Sequence, residues 1–163
     1  MNAILIRNAI AADAVLAGRA AHAAWLKGIA PLVPAGARGR VSASDFVSFV
    51  RELPEQVLIA ERDGEIAGIG ACEHGDNHIS DIWVAPAHEG KGLGAALVRA
   101  LEERIAARRY DRVTISVLSD NERALALYRH LGYRMTAEGL SFDRYLLVDL
   151  MTSHLERRLR RNA

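Results

Sequence analysis

Residues 79–97 read ISDIWVAPAHEGKGLGAAL, and the fold turns on this stretch. Ile79, Ile82, Trp83 and Val84 form an apolar, β-branched and aromatic run that Pro86 stops. Gly90, Gly92 and Gly94 follow at alternate positions, and an Ala/Leu-rich segment continues as helix. The order is strand, glycine loop, helix. Such a loop turns successive backbone N–H groups toward one point, and the first helical turn adds its unpaired donors and the positive end of its dipole. Without side chains, a bulky ligand can reach the main chain. The stretch predicts a seat for a phosphate or pyrophosphate.

The whole chain limits what surrounds that seat. Its 163 residues, half of them hydrophobic, are enough for one core and too few for two ordinary domains. Lys and Arg number 21 against 20 Asp and Glu, so the bulk charge points to no nucleic-acid partner. The single cysteine, Cys72, excludes an intrachain disulfide framework and a cysteine-based zinc cluster, and a reducing cytoplasm fits best. The N-terminal run is broken by Arg7 and Asp13, neither a signal peptide nor a membrane span. The expectation is a soluble cytoplasmic protein with no membrane partner, and a homodimer stays open.

Outward from the glycine loop, the periods fall into place. Ala3 to Arg7 predicts a first strand and Ala11 to Trp25 a helix, with an irregular Pro/Gly loop over Leu26 to Val41. Ser42 to Glu52 predicts a second helix, with Ser42 and Asp45 at capping-box spacing. Val57 to Glu61 and Ile66 to Cys72 predict a hairpin about Asp63-Gly64, and His78 to Val84 a third antiparallel strand. Past the loop come a helix over Gly92 to Arg109 and a strand over Arg112 to Leu118, which implies a parallel crossover. Ser119 and Glu122 predict the cap of a further helix that ends at Gly132. Tyr133 to Ala137 and Phe142 to Leu150 predict two closing antiparallel strands. The fold class is α/β (α+β): one domain over 1–150, a mixed and mostly antiparallel central sheet flanked by helices. Residues 151–163 form a basic C-terminal tail, expected as a frayed helix or solvated end.

Two motifs in register resemble the GNAT superfamily of N-acetyltransferases. IWVAPAHEGKGLGAAL matches strand, proline, then Arg/Gln-x-x-Gly-x-Gly/Ala, and NERALALYRHLGY matches Asn-x-x-Ala-x-x-Leu/Phe-Tyr-x-x-x-Gly-Phe/Tyr. The resemblance implies acetyl-CoA as cosubstrate, with its pyrophosphate on the main-chain N–H groups of Glu89, Gly90, Lys91, Gly92, Leu93, Gly94 and Ala95. It implies a bulged strand whose free backbone groups at Ile82 and Val84 pair with the pantetheine arm and thioester carbonyl. It also places Asn121 near the coenzyme and Tyr128 as the acid that protonates the departing thiolate. By periodicity alone Tyr128 is an aromatic residue on a buried helix face. The match of Asn121 and Gly132 around it to the family motif favours the acid role. Glu89 departs from the family pattern, placing a negative charge beside a polyphosphate site. If its side chain points away the backbone contacts survive, Lys91 offsets the charge, and affinity weakens without being lost.

The implied reaction needs an amine stripped of its proton. His78, where the family often carries a catalytic Glu, is the first candidate base, with an ordinary pKa near 6.5. A surface hairpin histidine is the alternative reading, and Glu73 and Asp81 are the alternative bases. His74, Asp76 and His78 could suggest a metal, but Gly75-Asp76-Asn77 is ordinary turn chemistry, and no metal is expected. A dinucleotide fingerprint over Gly90, Gly92 and Ala95 fails because Asp111 precedes its strand. A P-loop fails because Lys91 is not followed by Ser or Thr. Arg157, Arg158, Arg160 and Arg161 read as a solvated tail.

Trp25 and Phe46 are expected walls of the acceptor cleft, and Trp25 could equally be core. The acceptor is a small-molecule amine, an amino acid or a peptide N-terminus. The expected function is an N-acetyltransferase acting by direct attack in a ternary complex, without a covalent acyl-Cys72. The alternative is a non-catalytic acyl-CoA-binding or regulatory module of the same fold.

Overall fold

The computed structural model describes residues 3–160. Asp63 and Gly64 take φ of 51° and 82°, the positive pair that a tight two-residue hairpin turn requires. They fold β2 (Val57–Arg62) back on β3 (Glu65–Ala71), and β1 (Ile4–Asn8) joins the far edge of β2. The run expected as one strand over His78 to Val84 divides at Ser80. There β4 (His78–Ile79) pairs in parallel with β6 (Arg112–Leu118), whereas β5 (Asp81–Val84) pairs antiparallel with β3. Ser80 holds the break: its N–H donates to the Ala71 carbonyl at 2.9 Å, and its Oγ accepts from the Glu73 N–H at 2.9 Å.

The break gives two four-stranded sheets, β1-β2-β3-β5 and β4-β6-β8-β7, antiparallel except at β4–β6. β7 spans Arg134–Asp143 and β8 spans Val148–Arg158. Alternation along β2 builds a core on each face of the first sheet. Leu58 and Ala60 meet α3 (Leu93–Ala107), while Val57 and Ile59 meet α1 (Ala14–Gly28) and α2 (Ala43–Glu52). A Cβ on Gly18 would run into the backbone and Cγ2 of Val47, so only glycine permits this α1–α2 contact. α4 (Glu122–His130) packs Leu125 and Tyr128 into the α3-side core.

Several expectations need correction. The stretch over Leu26 to Val41 is not a bare loop, because α1 runs on through Gly28 and 3-10 turns form over Ala30–Leu32 and Ala35–Arg40. Ser119 does not cap α4: its Oγ bonds Ser153 Oγ at 2.8 Å, and Asn121 is the cap, its Oδ1 accepting the Ala124 N–H at 3.2 Å. The last hairpin turns at 144–147, not around Gly139. Residues 151–158 are neither frayed helix nor solvated end but most of β8, an inner strand of the second sheet. Charges on this strand are matched by β7 on one side and by α3 on the other. Glu156 accepts from Arg134 at 2.7 Å, and Arg157 Nη1 reaches the buried Glu102 at 2.6 Å. Arg161 lies outside the described residues.

Candidate active site

After β5, a 3-10 turn over Pro86–His88 leads into the glycine loop. Gly90 and Gly92 take φ of 69° and 86°, a region where a side chain is strained, and open space lies beyond both. The first backbone bond of α3 runs from the Ala96 N–H to the Gly92 carbonyl at 3.0 Å. The N–H groups from Gly90 to Ala95 have no acceptor among the described residues. Six consecutive unpaired donors at a helix start are an arrangement that favours an anion.

Glu89 points away from those donors. Its Oε2 accepts from Lys27 Nζ on α1 and from Arg123 Nη1 on α4, each at 2.7 Å. Burial opposes the charge on Glu89, but the two hydrogen-bonded cations outweigh it and hold the carboxyl below its ordinary range. Lys27 and Arg123, not Lys91, offset this charge. Neither lies near Glu89 in sequence, so no local signal announces the pairing.

β5 is an edge strand of its sheet. The Ala85 N–H donates to the Ala67 carbonyl and Trp83 pairs with Ile69. Backbone groups alternate direction along a strand, so those of Ile82 and Val84 face the open side. That side is the gap between the sheets.

A cavity of about 460 Å³ fills the gap. Ile82, Asn121, Ala124 and Tyr128 line it beside β5 and α4, and Trp25, Phe46, Phe49 and Trp83 line the part under α1 and α2. Trp25 and Phe46 are both cavity wall and core, at 5% and 9% exposure. Phe46 meets Trp83 edge-on, with ring centroids 5.6 Å apart. The end of β7 adds Phe142 and Asp143, and the β7–β8 turn adds Tyr145 and Leu146.

Within the cavity, Tyr128 is 5% exposed and its hydroxyl has no hydrogen-bond partner among the described residues. Burial, and secondarily the Asp81 charge, push its pKa well above the ordinary tyrosine value, so it is a phenol at any physiological pH. Asp81 accepts from Ser80 Oγ at 2.7 Å and from Trp83 Nε1 at 3.0 Å, yet burial still raises its pKa above the usual carboxylate range. Glu73 also lines the cavity.

His78 is elsewhere. Its Nδ1 bonds Thr114 Oγ1 at 2.8 Å on the opposite face of β4 from the buried Ile79, and it is not among the cavity's walls. Burial, its leading influence, lowers its pKa and keeps the ring neutral. The structure therefore brings Tyr128, Asp81, Glu73, Trp25, Phe46 and Asn121 together and leaves His78 outside. Cys72 is buried off the cavity, with burial raising its thiol to about 11. Among the described residues no group of three His, Cys, Asp or Glu side chains is arranged to hold a metal, and no helix is long and apolar enough to cross a membrane.

Unpaired main-chain donors at a helix start, an open strand edge and a buried phenol in the adjoining cavity suit an acyl-coenzyme A-dependent acyltransferase. The acetyltransferase (GNAT) family model matches residues 29–133, and the chain belongs to that family, whose members in general transfer acetyl groups from acetyl-CoA. Over 113 residues the chain is 34% identical to a mycothiol acetyltransferase of Clavibacter michiganensis subsp. michiganensis, an alignment covering 66% of this chain and 37% of that relative's length. Its fold is similar to that of a GCN5-related N-acetyltransferase from Rhodopseudomonas palustris, with a TM-score of 0.81, 23% identity and 98% of each chain covered. It is also similar to the PaiA N-acetyltransferase from Thermoplasma acidophilum, solved in complex with coenzyme A, with a TM-score of 0.72, 15% identity, and 96% of this chain and 99% of that one covered.

Proposed function

We propose that this protein transfers the acetyl group of acetyl-CoA to a primary amine by direct attack within a ternary complex. One observation carries the reading. A single cavity joins the open edge of β5 and the Tyr128 hydroxyl to an aromatic-walled space under α1 and α2. Both reactants can meet there without a covalent relay, and the buried, protonated Cys72 lies outside the cavity.

The residues divide the work by position. The N–H groups from Gly90 to Ala95 hold the pyrophosphate, and the open groups of Ile82 and Val84 hold the arm and polarise the thioester carbonyl. Asp81, directly or through one water, takes the proton of the attacking ammonium. A carboxyl whose pKa burial raises is better matched to that step than an ordinary one. As the C–N bond forms and the C–S bond breaks, the Tyr128 hydroxyl gives its proton to the departing thiolate. The second proton shed by the attacking nitrogen on forming the amide passes through solvent to restore the phenol, while Asp81 releases the first to bulk water. His78, off the cavity, has no direct part.

Initial rates of thiol release, measured over a grid of acetyl-CoA and amine concentrations, test this reading. Intersecting double-reciprocal lines are expected. Parallel lines together with an acetylated Cys72 would refute direct attack.

A further inference from the structure

The acceptor end of the cavity has an unusual charge inventory. Asp45 from α2, Glu73 from the segment after β3, Asp81 from β5 and Asp143 from the end of β7 all line it, and no Lys, Arg or His does. None of these four carboxylates has a cationic partner among the described residues. All four act on one point: the charges of Glu73, Asp81, Asp143 and Asp45 each raise the pKa of Tyr145. Apart from hydroxyl groups such as those of Ser141 and Tyr145, the remaining acceptor wall is aromatic and aliphatic, from Trp25, Phe46, Phe49, Trp83 and Leu146. Tyr128, 95% buried by its 5% exposure and unpartnered, closes the coenzyme end.

We infer that the acceptor is a cationic amine with an apolar, arylalkyl-type body and no anionic group, and that the cavity rejects free amino acids. The inference rests on the acetyl-transfer reading of this same cavity. The aromatic wall buries the body of such a molecule and attracts its ammonium. Four acids concentrate the cation. A carboxylate on the acceptor would meet like charges with no cation to pair it, which is discrimination by repulsion. The cavity volume of about 460 Å³ suits one small molecule alongside the acetyl end.

The two tryptophans of the chain both line the cavity, so their fluorescence reports acceptor binding without turnover. Three probes share a ring and an amine: phenylethylamine, phenylalanine and phenylalaninamide. With the coenzyme A-bound protein, phenylethylamine and phenylalaninamide are expected to bind at least about tenfold more tightly than phenylalanine. Glu73→Gln and Asp143→Asn are each expected to narrow that ratio. The Glu73 carboxylate has no side-chain partner among the described residues, so its change leaves the fold intact. Phenylalanine binding as tightly as the other two, or no saturable quenching by any probe, would overturn the inference. Selective amine binding without amine-dependent thiol release would instead refute the acetyl-transfer reading and leave the binding preference standing.

Discussion

Replacing Gly92 by alanine separates backbone strain from coenzyme contact. Gly92 has φ of 86°, and no atom lies within 4 Å of where its Cβ would stand. The cost to folding is therefore conformational, about 1–2 kcal/mol for an L-residue in the left-handed region. In a domain of this size that lowers Tm by roughly 2–8 °C. The same change at Gly64 supplies the control, because φ there is 82° and its Cβ also meets open space, but it sits in the β2–β3 turn. Both variants should lose similar stability. Only Gly92→Ala places a methyl group and a distorted loop among the unpaired N–H groups from Gly90 to Ala95. Isothermal titration with acetyl-CoA should show Kd rising at least about tenfold for Gly92→Ala, the cost of one good hydrogen bond to a charged group. Gly64→Ala should bind as the parent does. Equal affinity for the two variants would refute the loop as the pyrophosphate seat.

Tyr128→Phe should lower kcat by about 10²–10⁴-fold, the usual contribution of a positioned acid, with acetyl-CoA affinity unchanged; an unaltered kcat removes Tyr128 from the chemistry. The raised pKa of Asp81 means that its carboxyl holds its proton more firmly in the fold than in the unfolded chain. Its ionisation therefore weakens the fold as pH rises through the native pKa while enabling proton uptake. Asp81→Asn should remove the acidic limb of the kcat/KM profile and not lower Tm at neutral pH, whereas a retained limb assigns the base elsewhere. Glu102→Ala strands Arg157 and the Tyr133 hydroxyl, whose distances to Glu102 Oε2 are 2.6 and 3.1 Å. A loss of about 3 kcal/mol is expected, since Arg157 is partly exposed. Thermal melts should show it as roughly 6–12 °C. Glu89→Gln removes two ion pairs whose cations are largely exposed, so chemical denaturation should show a loss of no more than about 2 kcal/mol.

The signals that the sequence carried were those whose physics is local. Asp63-Gly64 has one comfortable geometry, and the alternate glycines after Pro86 end the strand and open a loop with left-handed turns at Gly90 and Gly92; both backbone geometries stand as read. Residues 151–158 misled because HLERR looks solvated until Glu156 and Arg157 find Arg134 and Glu102, partners from other elements. Ser119 lost the cap of α4 to Asn121 because β8 offers it Ser153. His78 was plausible by position, but the break at Ser80 sends it to the β4–β6 pair, facing Thr114. The acidity of the acceptor end was out of reach. Its four carboxylates stand at 45, 73, 81 and 143, and only the folded chain gathers them.

The central claim is that one cavity brings acetyl-CoA and an amine together for direct transfer. Its most direct test is thiol release from acetyl-CoA with and without phenylethylamine, with the acetylated amine identified by mass spectrometry. Amine-dependent thiol release matched mole for mole by N-acetyl product is the expected result. Acetyl-CoA binding with no thiol release above the amine-free rate, for this amine or any other of its class, would contradict it.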